Sequence, residues 1–150
     1  MFRIVLVDPL IPQNTGTTGR LALATGSELI LVGKLGFTIS EKHIRRAGLD
    51  YWKYVNFKHW EGDFPSFHQA NPGRYHFFST HADKLYTTIT FQKEDFLVFG
   101  NEDGGLGPQI LSAFKDQTYK IHMFDDRVRS LNLATSIGII VYEGIRQLTV

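Results

Sequence analysis

The feature that most constrains this chain lies in its first 33 residues, where a strand, a helix and a second strand follow one another with little between them. Phe2-Arg3-Ile4-Val5-Leu6-Val7 is a β-rich apolar run that Asp8-Pro9 ends, as expected of a buried strand entering a loop. Asn14 is placed to cap a helix running through Leu21-Ala22-Leu23-Ala24, and Gly26 sits where that helix would stop. Glu28-Leu29-Ile30-Leu31-Val32-Gly33 then forms a second strand. Two strands joined through a helix are parallel, so the pattern predicts an α/β fold, a mostly parallel sheet flanked by helices. Alternation continues, with strands expected at Tyr75 to Ser79, Phe96 to Phe99 and Thr118 to Met123. Helices are expected near residues 40 to 47, 61 to 70 and 108 to 114. From Leu131 to Leu148 the apolar positions Leu133, Ile137, Ile140, Val141, Gly144 and Leu148 share one helical face.

No repeat, low-complexity tract or linker interrupts this pattern, which predicts one domain over residues 1–150. A hydrophobic content of 43% is enough for one packed core at this length. No apolar run approaches the roughly 18 to 20 residues needed to cross a bilayer, so a soluble, cytoplasmic protein without a membrane partner is expected. The absence of cysteine removes disulfides, thiolate metal sites and cysteine nucleophiles. A net charge of +1 gives no global attraction for nucleic acid, so any RNA site must be local or built by oligomerisation. Residues 1 to 75 hold nine Lys/Arg against six Asp/Glu, and residues 76 to 150 seven against nine, which puts the basic character in the first half.

Three loops rich in Gly or Asn follow expected strands: Asn14-Thr15-Gly16-Thr17-Thr18-Gly19-Arg20, Gly100 to Pro108, and Arg129-Ser130-Leu131-Asn132-Leu133. Ligands of open parallel sheets bind beyond the carboxyl ends of the strands, where such loops present backbone groups. The second loop has four glycines in eight residues but fits neither a GxGxxG nor a GxxxxGK[ST] pattern. It is either a mobile turn or a place where backbone approaches a ligand closely. Arg20, on a helix start, could hold an anion or be a plain surface arginine, and Ser130 and Asn132 could be caps of the last helix. The segment His43 to Lys53 mixes cations with aromatics, which suits phosphates and unpaired bases but equally a solvated helix beside core aromatics. Six histidines without HExxH, and Asp125-Asp126 with Glu102-Asp103 at no calcium-loop spacing, argue against a metal. No GxSxG elbow supports a serine hydrolase.

Taken in order, these residues resemble the short, single-domain tRNA (cytidine/uridine-2′-O-)methyltransferases of the SPOUT superfamily, which act on the wobble nucleotide. The resemblance spans nearly the whole chain. It rests on Ile11-Pro12 with Asn14-Thr15-Gly16 and Arg20; on Arg45-Arg46-Ala47-Gly48-Leu49-Asp50-Tyr51; on Phe99-Gly100, Glu102 and Gly105-Leu106; and on Arg129-Ser130-Leu131-Asn132-Leu133 with Tyr142-Glu143 and Arg146-Gln147. It implies a deep trefoil knot near the C-terminus, a homodimer that completes the site, and S-adenosylmethionine as cofactor, released as S-adenosylhomocysteine. It implies no metal, and tRNA rather than DNA as partner. Phe78, Gly100, Glu102, Gly105, Ile121, Met123, Ser130 and Leu131 match cofactor positions. Arg20, Ser130 and Asn132 match catalytic ones, and Asn14, Arg45, Arg46, Trp52, Lys53 and Arg129 are the substrate-binding candidates.

The sequence departs from the family pattern at Gly104, where an arginine is usual, at Gly107, where a proline is usual and Pro108 comes one position late, and at His122, which replaces a proline. Asp125-Asp126-Arg127-Val128 is shifted by one residue. The implied role of Arg20 is proton handling at the ribose, yet a charged guanidinium has no acceptor. Orientation of ribose and phosphate by Arg20, with Ser130 or a phosphate oxygen taking the proton, fits its chemistry better. A catalytically silent RNA-binding relative, a nucleotide-dependent enzyme using the glycine loop, and a 2′-O-methyltransferase of another tRNA or rRNA site are the alternatives.

Overall fold

The computed structural model describes residues 1–40 and 50–149. Among these, seven strands form one sheet in the order β3-β2-β1-β6-β4-β7-β5. They are β1 (Arg3–Val7), β2 (Glu28–Val32), β3 (Phe57–Trp60), β4 (Tyr75–Phe78), β5 (Lys84–Leu85), β6 (Phe96–Phe99) and β7 (Thr118–Lys120). Every pair is parallel. The helices are α1 (Pro12–Thr25), α2 (Phe64–Ala70), α3 (Gly107–Ala113) and α4 (Leu133–Thr149). The expected helix near 40 to 47 falls largely outside the described residues.

Alternation along the central strands sorts the core into two layers, because successive side chains leave opposite faces of a sheet. Ile4, Leu6, Leu29, Leu31, Leu97 and Phe99 meet Ile137, Ile140 and Val141 of α4 and Ala22 of α1 on one face. Val5, Val7, Ile30, Val32, Phe77 and Val98 meet Phe64 and Phe67 of α2 and Ile110 of α3 on the other. Each fully buried side chain of this size stabilises by about 1.5–3 kcal/mol, so β1, β2, β6 and β4 form the rigid centre. Gln147 ties α4 to the segment before β6, accepting from the Phe91 amide at 3.0 Å and donating to the Ile89 carbonyl at 3.0 Å.

Three expectations need correction. Asn14 does not cap α1: the cap position is Ile11, and Pro12 opens the helix, where its missing N–H costs nothing. β7 stops at Lys120 rather than Met123, because β4 ends at Phe78 and the two-residue β5 has no partner beyond Leu85. β3, with Lys58 and His59 at its centre, escaped the apolar-run criterion because it is an edge strand. Gly26 stops α1 as expected, in the left-handed region at φ 62°.

Candidate active site

The chain leaves the sheet at the carboxyl ends of β4, β6 and β7, and the loops that follow surround a cleft of about 1530 Å³. Its floor is aromatic, with Phe78 and Phe99 on adjacent strands stacked at 4.8 Å. Gly100 begins the second loop and has no room for a side chain, since a Cβ there would lie 2.0 Å from the Gly105 carbonyl carbon and 2.2 Å from the Leu106 nitrogen. The loop closes on itself. Asn101 and Gly105 exchange two backbone hydrogen bonds of 3.2 Å, and the Asn101 side chain accepts from the amides of Asp103 and Gly104. The mobile-turn reading of this segment therefore fails. Gly105 has a φ of +64°, which favours glycine, and no protein atom lies within 4 Å of a Cβ built there, so its open side faces the cleft.

Glu102 fastens this loop to the start of α1. Its Oε2 accepts from the Leu10 amide at 2.8 Å, and its Oε1 from the Ile11 amide at 3.2 Å and Asn14 Nδ2 at 3.3 Å. A carboxylate 91 residues away in sequence thus holds the amide of the cap residue and of the one before it, as the returning carboxylate of a capping box does. Asn14 Oδ1 accepts in turn from Asn132 Nδ2 at 3.1 Å, and Asn132 Oδ1 accepts from the Thr135 amide at 3.1 Å in the first turn of α4. The capping reading of Asn132 is correct, and the residue lines the cleft. One polar chain, Glu102–Asn14–Asn132, joins all three loops.

All eight cofactor candidates, Phe78, Gly100, Glu102, Gly105, Ile121, Met123, Ser130 and Leu131, line the cleft, with Ser130, Asn132, Asn14 and Arg129 among the other candidates there. Ser130 and Arg129 are exposed at its rim. The loop after β7 turns on an ion pair in which Arg127 Nε and Nη2 grip Asp125 at 2.9 and 2.6 Å. Hydrogen bonds from Arg127 hold the Asp125 carboxyl below its ordinary 3.8.

Arg20, Trp52 and Lys53 stand elsewhere. Arg20 lies eight residues into α1, about 12 Å along the axis from its start, too far for the helix N-terminus and the guanidinium to share one anion. It is exposed, with its guanidinium 5.6 Å from the Tyr51 ring centre. Trp52 packs on Phe57 at 5.2 Å and lies where a Cβ at Gly19 would touch its ring at 2.4 Å, so this indole is a packing residue, not a free base platform. Lys53 stands over Tyr54. Arg45 and Arg46 lie outside the described residues. The binding role of Glu102 in α1 had no sequence signal of its own, because its partners are backbone amides remote along the chain.

The cleft suits a nucleoside carrying a cationic group: aromatic and aliphatic walls at Phe78, Ile121 and Leu106 fit a flat base, and Asp103 and Asp126 lie at its polar edge. Among the described residues no group of three His, Asp or Glu is placed to hold a metal ion.

Comparison with known proteins agrees with this geometry. Residues 1–142 match the model of the SpoU rRNA Methylase family. The tRNA (cytidine(34)-2'-O)-methyltransferase of Polaromonas sp. is 42% identical over 152 residues, covering 98% of this chain and 91% of that protein. A solved structure bearing on the 2-OH methylation of C/U34 on tRNA superimposes with a TM-score of 0.90 at 40% identity, over 99% of this chain and 97% of the other. The AdoMet-bound rRNA methyltransferase of Sinorhizobium meliloti gives a TM-score of 0.83 at 29% identity, covering 98% of this chain and 56% of that one.

Proposed function

The chain belongs to the SpoU rRNA methylase family, and from that premise we propose that it methylates the ribose 2′-hydroxyl of the wobble nucleotide of tRNA with S-adenosylmethionine. The observation that carries the reading is the convergence of three loops on one cleft, with Ser130, Asn132 and Arg129 at its mouth. When bound, S-adenosylmethionine supplies a methyl made electrophilic by its own sulfonium, so the ribose oxygen can displace a neutral thioether without a metal. Phe78, Ile121 and Leu131 would hold the flat part of the cofactor, and the backbone around Gly100 and Gly105 would border it. Asn132, fixed by Asn14, sets the position of the adjoining Ser130. A phosphate oxygen of the RNA would receive the hydroxyl proton, directly or relayed through the Ser130 hydroxyl, which gives up its own proton as it accepts one, and Arg129 pairs with the phosphate.

Arg20 orients the ribose in the same scheme. It lies outside the lining of its own chain's cleft, so it acts across a homodimer in which each subunit completes the other's site. The exposed Tyr142 of α4 belongs to that interface, and Leu23 of α1 adds exposed apolar surface on the neighbouring helix. The Ile121–Asn132 segment forms part of the C-terminal knot, and an enzyme of this kind works in the cytoplasm beside its tRNA. Among the described residues no helix is long and apolar enough to cross a membrane.

The test is methyl transfer from labelled S-adenosylmethionine to a tRNA anticodon stem-loop in EDTA, with the product nucleotide mapped. Ribose methylation of the wobble nucleotide is expected. Cofactor binding without transfer to any RNA would favour the silent RNA-binding reading, and a requirement for magnesium would overturn the metal-free scheme.

A further inference from the structure

Phe124 is the most exposed large apolar side chain among the described residues, with 94% of its surface open, and it borders the cleft. A phenyl ring left in water forgoes about 1.5–3 kcal/mol of burial, so its position asks for a reason. The ring is held in place. His122 stands edge-on to it, with ring centres 4.4 Å apart and an interplanar angle of 82°. The turn after it is closed by the Arg127 amide donating to Asp125 Oδ1 at 3.0 Å and the Val128 amide donating to the Asp125 carbonyl at 3.4 Å. The charges beside the ring, Asp125, Asp126, Arg127 and Arg129, are all exposed. The core of a subunit interface is depleted of charge, whereas sites for single-stranded RNA interleave aromatics with cations.

We infer that Phe124, braced by His122, is the platform on which an unpaired base at or beside the target nucleotide stacks during methyl transfer. The inference rests on the proposed RNA substrate and adds a base-stacking residue to its binding site. A phenyl face makes no hydrogen bonds, so the platform accepts either pyrimidine and contributes affinity rather than base identity. The two acidic and two basic residues of the turn cancel, so the hold is stacking rather than net charge. This loop is also where the sequence departs from the family pattern, at His122 and in the shifted Asp125-Asp126-Arg127-Val128.

The experiment is a binding cycle read without turnover, combining Phe124→Ala and Phe124→Trp with anticodon stem-loops that carry an abasic site at the target nucleotide or at either neighbour. Phe124→Ala is expected to weaken binding of the intact stem-loop about 5- to 150-fold, by the same factor at low and high salt, and Phe124→Trp to retain it. At one abasic position the wild type should bind as weakly as Phe124→Ala binds intact RNA, with no further loss when both changes are combined. Cofactor affinity and the dimer should be unchanged. Wild-type affinity in Phe124→Ala, additive losses at every abasic position, or a monomer on light scattering would each overturn the platform, the last reassigning the ring to the subunit interface. Methylation of the stem-loop by the wild type is scored separately. If it is absent, the proposed reaction fails whatever the cycle shows, and if present with Phe124→Ala binding as the wild type does, only the platform fails.

Discussion

The two loops that face each other across the cleft are built on opposite plans. The loop from Gly100 to Leu106 is closed by its own backbone bonds, anchored through Glu102 to the start of α1, and compressed where Gly100 meets Gly105 and Leu106. The loop from Ile121 to Leu131 is largely exposed, its charged pair included. The first has the construction of a scaffold for a cofactor, with the Asn101 and Glu102 side chains engaged within the protein. The second leaves a ring and a guanidinium facing outwards. The comparison teaches that substitutions in the first loop should act through stability and cofactor affinity together, and those at the exposed tip of the second, from Phe124 to Arg129, through RNA.

The largest expected effect is that of Gly100→Ala. The new methyl would overlap backbone atoms at 2.0 and 2.2 Å, and backbone cannot yield as the end of a side chain can. Overpacking of this kind costs about 3 kcal/mol or more, which for a chain of this size lowers Tm by roughly 6–12 °C. Cofactor binding, followed by calorimetry, should be lost with it. A stable variant that binds normally would show that the loop is as adaptable as the one opposite.

Glu102→Ala comes next. It removes the acceptor of the Leu10 and Ile11 amides and of Asn14 Nδ2, and a lost cap of this kind costs about 1–2 kcal/mol. Faster amide exchange at Leu10 and Ile11 is the specific signature. Glu102→Gln, which keeps one oxygen, should fall between. Exchange unchanged in both variants would mean that the carboxylate does not hold the helix start.

The fold was legible in the sequence wherever one physical rule decided the outcome. Apolar runs on both faces of β1, β2 and β6 required burial on both sides, and the stripe from Leu133 to Leu148 required a helix. Gly26 fixed a helix end through its backbone alone. The edge strand β3 and the early end of β7 depend on what lies beside them, which no local pattern records. In the candidate site, Gly100 and Gly105 were visible as glycines, but their different reasons, contact for one and dihedral angle for the other, needed coordinates. The chain from Glu102 through Asn14 to Asn132 was named residue by residue only through the family resemblance. Its bonds span 88 and 118 residues, and polarity alone does not pair such distant side chains.

Two neighbouring glycines sharpen the contrast within the scaffold loop. Gly105→Val forces a β-branched residue to φ +64° in otherwise open space, a strain of about 1–3 kcal/mol, and it should weaken cofactor binding. Gly104 carries no such angle, and a Cβ there would meet only Asn101 Oδ1 at 3.8 Å. Gly104→Arg, which restores the residue usual in the family, should leave stability within about 0.5 kcal/mol of wild type. Equal losses in the two variants would show that the loop tolerates no side chain at its tip.

The smallest effect is expected at Asp125, on the exposed side of the comparison. Its carboxyl is held below the ordinary 3.8 by hydrogen bonds from Arg127, so the pair's contribution is fully present above pH 3.8 and is lost only as the pH falls through the lowered value. Between pH 5 and 8 the pair is fully formed and does not titrate, and Asp125 should impose no pH dependence on RNA binding. Because the pair lies at an exposed surface, where ion pairs are screened and contribute little, Asp125→Asn should leave the melting temperature unchanged in that range. The variant keeps the oxygen that accepts from the Arg127 amide and loses the one that Nη2 grips, so it should loosen the turn after Phe124 without opening it. A modest rise in the Kd for the stem-loop is therefore expected, smaller than that of Phe124→Ala. A fall in melting temperature comparable to that of Glu102→Ala would break the comparison, because it would make the outward-facing loop part of the scaffold after all.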